Sequence, residues 1–170
     1  MIKAVFLDRD GILIKERGDY NYKGSDIEIV DGVVEALQEL KAHGFVFMVI
    51  TNQGGIGKGL YTHARVREIH IQLKTFFAEQ GIKIAEFYYC PHHPQQSACI
   101  CRKPDSELLE KAIARFEVDA AASWFIGDNE RDELAGKKAG LQTLLVPSNA
   151  DLRDYTHQIT DSATHTKPNR

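Results

Sequence analysis

The sequence predicts an open, mainly parallel α/β sheet flanked by helices. Three observations carry that expectation. Apolar runs of strand length alternate with segments of helical periodicity, the order that builds parallel sheets with covering helices. The runs are short, and the longest, residues 45–50, is far too short to span a bilayer. Polar and glycine-rich clusters follow directly on the runs, and ligands of open α/β sheets bind outside the carboxyl ends of strands.

The elements follow in order. Residues 2–7 are largely apolar, end in Asp8-Arg9-Asp10-Gly11 and read as a buried first strand. Residues 15–28 are polar, with two glycines and two tyrosines, and break the rhythm. The first helix follows Asp31-Gly32; Val33, Val34, Leu37 and Leu40 line one face, and Gly44 is placed to end it. After the strand at 45–50, a second helix begins behind Thr62, a good N-cap, with Val66, Ile69, Leu73 and Phe76 at spacings of three and four. A third strand is expected at 87–89, followed by a long loop from Cys90 to Lys103. Pro104-Asp105-Ser106 opens a helix carrying Leu108, Leu109, Ala112, Ile113 and Phe116. A strand at 124–126, a helix from near Glu130 to Gly140 and a strand at 143–146 complete a Rossmann-like domain over residues 1–147. Residues 148–170 are polar and are expected to be a loose extension.

At 170 residues the chain suits one domain with a single buried core. Its 43% apolar and 26% charged residues are ordinary for a globular protein. A net charge of −3 offers no electrostatic basis for nucleic acid or an anionic membrane as partner. The strand pattern begins at once, so no secretory signal is expected. Three cysteines between positions 90 and 101 are not a disulfide framework. They read as metal ligands in a reducing compartment, which makes a cytoplasmic setting the expectation. No feature demands an obligate partner, and a monomer is expected.

Asp8 and Asp10 stand at i and i+2 where the first strand ends. Their repulsion needs an offset, and a divalent cation supplies one. A carboxylate held there can attack phosphorus while its neighbour handles the proton. A lone Asp-x-Asp-Gly is commonly a solvated turn, so its weight comes from the other strand ends. The second strand leads into Thr51-Asn52-Gln53 and a glycine-rich stretch from Gly54 to Gly59, whose hydroxyl and backbone N–H groups suit phosphate oxygens. Arg102-Lys103-Pro104 precedes the third helix, and Lys103 can neutralise both an attacking carboxylate and a transferring phosphoryl group. The fourth strand ends in Gly127-Asp128-Asn129-Glu130-Arg131-Asp132. A carboxylate here completes a hard-oxygen site for Mg²⁺; Asp128 ranks ahead of Asp132, which can instead orient a neighbour or cap the helix.

This ordered set resembles the haloacid dehalogenase superfamily of aspartate-nucleophile phosphotransferases over roughly residues 2–146. The resemblance implies that Asp8 forms an aspartyl-phosphate, and that Asp10 protonates the leaving alcohol and then activates water. It implies that Thr51 and Lys103 hold the phosphoryl oxygens. Mg²⁺ is then bound by the Asp8 side chain, the Asp10 backbone carbonyl and Asp128. The second aspartate favours phosphatase over dehalogenase chemistry, because an alcohol leaving group needs a proton donor.

Cys90, His92, His93, Cys99 and Cys101 offer three thiolates and one or two imidazoles, a good Cys₃His zinc set. On spacing alone either imidazole can ligate. Four protein ligands leave no open position, so the expected role is structural, stiffening the loop that ends at Arg102-Lys103. The Cys-x-His…Cys-x-Cys-Arg-Lys-Pro arrangement resembles the D-glycero-D-manno-heptose 1,7-bisphosphate phosphatases and their relatives, the histidinol-phosphate phosphatases. That resemblance implies Cys90, His92, Cys99 and Cys101 as the zinc ligands and Arg102 as a substrate-recognition residue. It further implies one substrate-contacting loop at Glu16, Arg17, Gly18 and Asp19, a second at Thr51, Asn52, Gln53 and Gly54, and no large cap domain. Asp-Arg-Asp-Gly, Tyr-Cys-Pro-His-His-Pro and Ile-Val-Asp-Gly-Val look like the heptose branch. The short gap between His92 and Cys99 approaches the histidinol-phosphate form, and Ile14 and Asn129 stand where heptose enzymes tend to have Asn and Lys. The resulting expectation is Mg²⁺-dependent removal of the 7-phosphate of the heptose bisphosphate, in heptose supply for lipopolysaccharide. Histidinol phosphate and another small sugar phosphate are the alternatives.

Two other classes compete. A non-catalytic zinc-loop module for nucleic acid is opposed by the acidic balance and the absence of a Lys/Arg stripe. A regulator that binds phosphate or metal without turnover would have no need of both Asp8 and Asp10.

Overall fold

A computed structural model of the protein describes residues 1–164. Five strands, β1 (Ala4–Leu7), β2 (Val46–Asn52), β3 (Ile84–Cys90), β4 (Trp124–Gly127) and β5 (Gln142–Leu145), form one sheet in the order β3-β2-β1-β4-β5. Every pairing in it is parallel. The helices α1 (Val33–Ala42), α2 (His63–Glu79), α3 (Glu107–Phe116), α4 (Glu130–Lys138) and α5 (Thr156–Thr164) cover it. Side chains alternate across each strand, so β1 feeds two cores. Val5 and Leu7 pack with Val33, Leu37, Leu40, Ile69 and Leu73 of α1 and α2. Ala4 and Phe6 pack with Leu108, Leu109 and Ala112 of α3 and Ala135 of α4.

Departures from the sequence expectation have physical reasons. β3 runs from residue 84 rather than 87, pairing from Phe47↔Ile84 to Asn52↔Cys90. It is the edge strand and most of its residues are half-buried, which dilutes the apolar signature that marks an inner strand. The same ladder carries β2 two residues further, to Asn52. In α2 the core position is Phe77, fully buried at i+4 from Leu73, while Phe76 is only partly covered.

The segment after Val146 is the main correction. It is not a loose extension over its described part: a 3₁₀ turn (Leu152–Asp154) and α5 pack on α1, and Leu152 and Ile159 are buried in the same core as β1. The Thr156 hydroxyl donates to the Glu39 carboxylate of α1 at 2.8 Å. A polar segment with a few well-spaced apolar residues was enough to close the core, and its low mean hydropathy concealed that. Residues 165–170 lie outside the described residues. Among the described residues no helix is long and apolar enough to cross a membrane.

Candidate active site

The chain leaves β1 toward β2 and β3 on one side, and β4 and β5 fill the other. The connections that leave the adjacent, paired strands β1 and β4 therefore lead to opposite halves of the sheet, and the crevice of an open sheet lies at such a switch point. A cleft of about 660 Å³ opens there, lined by Asp8, Asp10, Thr51 and Asp128 among others. That volume suits a small ligand. Gly11 turns the chain after β1 with φ +84°, and a methyl group in its place would overlap the Asp128 carboxylate. Glycine there lets the two acidic loops meet.

Lys103 is the hub beneath the cleft, 2% exposed. Its ammonium lies 3.0 Å from Asp8 Oδ1 and 2.7 Å from Asp132 Oδ1, and donates to the Ile50 carbonyl at 2.9 Å. Two carboxylates and a carbonyl thus surround the ammonium, the compensation a buried lysine requires. Asn52 holds the backbone of Lys103 by reciprocal hydrogen bonds of 3.1 Å, donating to its carbonyl and accepting from its N–H. The side chain of Asn52, expected to meet a ligand, is spent on that clamp. Asp132 also accepts the Asn129 N–H at 3.1 Å in a capping box that starts α4.

Asp8 accepts the Arg9 N–H at 2.7 Å through Oδ1, the oxygen that also faces Lys103. Oδ2 is the freer oxygen. Burial pushes the Asp8 carboxyl up to about 7; Lys103 works against that rise, and Asp132 and Asp10 add to it. Asp10 goes the other way. Burial raises it, but the Arg9 guanidinium and hydrogen bonds from Asn21 and Gln53 outweigh burial and hold it below the usual carboxylate range. Arg9 Nε and an Nη each donate to Asp10 at 3.1 Å, Asn21 Nδ2 at 2.8 Å and Gln53 Nε2 at 3.1 Å. Gln53 also donates to the Thr51 hydroxyl at 2.9 Å and accepts from Arg9 and the Tyr61 hydroxyl. Its side chain is fully engaged inside the protein, so it positions Asp10 and Thr51.

The loop after β1 is closed by the chain's last described segment. The Glu16 N–H donates to Asn149 Oδ1 at 2.6 Å, Asn149 Nδ2 donates to the Glu16 carbonyl at 2.9 Å, and the Asn149 N–H reaches the Gly11 carbonyl at 2.8 Å. Glu16, Gly18 and Asp19 line the cleft. Arg17 does not: it turns toward Asp26 and Glu28, at 3.9 and 3.7 Å. Across the cleft, Arg102 donates to the His92 carbonyl at 3.0 Å, and a methyl at Gly54 would come within 3.1 Å of its guanidinium.

Two clusters have metal-ligand chemistry. Oxygens of Asp8, Asp128 and Asp132 lie within 4.8 Å of one another. Lys103 engages two of these carboxylates, and burial raises the Asp128 carboxyl as it does that of Asp8. Asp128 is the carboxylate Lys103 does not engage, so the donor set fits a hard divalent cation beside Asp8 and Asp128. The second cluster is Cys90, His92, Cys99 and Cys101. Cys90 Sγ lies 3.6 and 3.1 Å from the sulfurs of Cys99 and Cys101, and His92 Nδ1 lies 3.5 and 3.3 Å from those of Cys90 and Cys101. These separations exceed a disulfide bond by more than an ångström and approach the ~3.8 Å sulfur–sulfur edge of a tetrahedron with Zn–S near 2.3 Å. His93 stays outside the cluster, against Gly57 and the Gln95 N–H.

Arg9, Asn21, Ser148, Asn149 and Arg131 are part of the site or its frame without having been singled out from the sequence. Arg9 left no signal, since its partners sit at positions 10, 21 and 53 and His70 approaches it at 3.5 Å from α2.

Residues 100–169 match the family described as "HAD-hyrolase-like". The chain is 38% identical to D-glycero-beta-D-manno-heptose-1,7-bisphosphate 7-phosphatase from Pasteurella multocida (strain Pm70) over 152 residues, covering 86% of this chain and 82% of the relative. It is 37% identical to the Escherichia coli (strain K12) protein of the same name over 148 residues, covering 84% and 77%. The crystal structure of D,D-heptose 1,7-bisphosphate phosphatase from B. bronchiseptica, complexed with magnesium and phosphate, superposes with a TM-score of 0.81 at 28% identity, covering 92% of this chain and 87% of that one.

Proposed function

The chain belongs to the D-glycero-beta-D-manno-heptose-1,7-bisphosphate 7-phosphatase family of haloacid-dehalogenase-like phosphatases, and from that premise we propose that it removes the 7-phosphate of the heptose bisphosphate. The supporting observation is the convergence of Asp8, Asp10, Thr51 and Asp128 on one cleft, with Lys103 ion-paired to Asp8 at its base. Asp8 attacks phosphorus through Oδ2 and forms an aspartyl-phosphate. The Thr51 hydroxyl and Lys103 stabilise the charge gathering on the phosphoryl oxygens. Asp10 gives a proton to the departing sugar oxygen and later takes one from the water that attacks the aspartyl-phosphate. Arg9 keeps Asp10 ionised in the free cleft, the form needed for the second step. An entering phosphate is a like charge that raises the Asp10 pKa, as the first step requires.

Asp8, Asp128 and the Asp10 carbonyl are the proposed ligands of Mg²⁺. Bound there, the cation offsets the charge of the carboxylates and of the phosphoryl oxygens. Cys90, His92, Cys99 and Cys101 are the proposed ligands of a structural Zn²⁺, a reading supported by their sulfur and nitrogen separations. Arg102 and the loop at Glu16, Gly18 and Asp19 are proposed to meet the sugar; Arg17 and the side chains of Asn52 and Gln53 support the frame. A monomer in the cytoplasm is part of this reading, in keeping with three clustered free thiols.

The test is phosphate release with Mg²⁺, comparing kcat/KM for heptose 1,7-bisphosphate with that for histidinol phosphate. A strong preference for the bisphosphate is expected. A preference for histidinol phosphate would move the chain to the other branch with its mechanism unchanged.

A further inference from the structure

Three arginines line the cleft: Arg9, Arg102 and Arg131. Arg9 is matched by Asp10, and Arg102 spends one Nη on the His92 carbonyl. Lys103, below them, is matched by Asp8 and Asp132. Arg131 differs. Its guanidinium has no carboxylate or carbonyl partner among the described residues, and its Nε is buried with no hydrogen-bond acceptor. A buried N–H without an acceptor is destabilising and rare.

The position compounds the cost. Arg131 lies in the first turn of α4, where the helix dipole opposes a cation, and the other charged residues of that turn are Glu130, Asp132 and Glu133. Asp132 is committed to Lys103 and to the cap, and Asn129 Oδ1 to the Arg131 N–H at 3.2 Å. A cation set against the local dipole and facing a cleft is compensated when an anion arrives. The transferring phosphoryl group is already provided for by Asp8, Thr51 and Lys103, and the cleft, at about 660 Å³, holds far more than one phosphate. The Arg131 guanidinium is thus left over once one phosphate is provided for, and the cleft has room for a second anion on the same molecule.

We propose that Arg131, with Arg102 as its companion from the metal loop, binds the non-reacting phosphate of a bisphosphorylated sugar and sets the preference for substrates with two phosphates; this rests on the phosphatase reading above. A guanidinium matches phosphate through paired N–H donors. The same two cations work against a substrate whose remote end carries an ammonium group.

The experiment compares kcat/KM for heptose 1,7-bisphosphate and heptose 7-phosphate, which share the scissile ester and differ in the second phosphate. In Arg131→Ala the ratio of the two is expected to fall by about tenfold or more, mainly through KM for the bisphosphate. Arg131→Lys keeps the charge without the fork and recovers part of the ratio. Arg131→Gln gives the same reading if the alanine variant does not fold. An unchanged ratio in a folded variant overturns the role of Arg131 and leaves the phosphatase reading standing. A wild-type protein that hydrolyses the two esters equally well overturns the second-phosphate role alone, and one that releases phosphate from neither overturns the phosphatase reading with it.

Discussion

Burial governs the chemistry of Asp8. Its carboxyl sits near 7 in the folded, metal-free protein, against an ordinary value of 3.8. Between those values the folded state holds a proton that the unfolded chain has lost, so this group's contribution to stability falls as pH rises through the window. A metal ligand must lose that proton first. The Kd for Mg²⁺ is expected to weaken roughly tenfold per pH unit as pH falls below about 7. Calorimetric titration between pH 6 and 8 measures this, and a flat profile would show that Asp8 is already ionised across that range. Asp8→Asn is expected to lower turnover by about 10⁴-fold or more while the protein stays folded, because Lys103 retains Asp132 and the Ile50 carbonyl. Retained activity in that variant would exclude an aspartyl-phosphate.

At the scale of elements, the loop between β3 and α3 connects a metal-type cluster to Lys103, the lysine ion-paired to Asp8 and Asp132. Cys90 is the last residue of β3, paired with Asn52 at the end of β2, and the same Asn52 clamps the Lys103 backbone. Thirteen positions on from Cys90, the chain thus returns to the strand end it left. Burial raises the Cys90 thiol, which disfavours a free thiolate and leaves the site to a cation that can hold the sulfur ionised. The purified protein is expected to carry about one equivalent of zinc by metal analysis. Its removal by a chelator should lower Tm and, because the loop sets Arg102 and Lys103, lower kcat as well. A metal-free protein with an unchanged melting curve would defeat the assignment.

At the scale of the molecule, α5 completes the structure that β5 leaves open. Ile159 is 0% exposed and Leu152 2%, both in the core shared with α1, while Asn149 just before them ties the loop at Glu16 to the cleft. Core and site are therefore closed by one segment. Ile159→Ala is expected to destabilise the fold by about 2–4 kcal/mol, as a large-to-small change at a packed position does. Urea unfolding measures it, and a change below about 0.5 kcal/mol would return this segment to the status of an appendage.

Alternating apolar runs and helical periods determined the sheet, its helices and the places where chemistry collects, because strand and helix leave local periods in any chain. Asp8, Asp10 and Asp128 stood out because ionisable residues placed directly after apolar runs contrast with them, whereas Lys103 and the Cys/His cluster stood out by their spacing in the loop ahead of the third helix. Tertiary structure alone decided that the side chains of Asn52 and Gln53 are engaged within the protein, that Arg17 turns away, that Arg9 clamps Asp10, that the Arg131 guanidinium has no partner among the described residues and that α5 belongs to the core. Several of those outcomes depend on groups far apart in the chain, 44 positions for Arg9 and Gln53, 51 for Asn52 and Lys103 and 117 for Thr156 and Glu39. No local period encodes a contact of that range; only the strand order places the partners side by side.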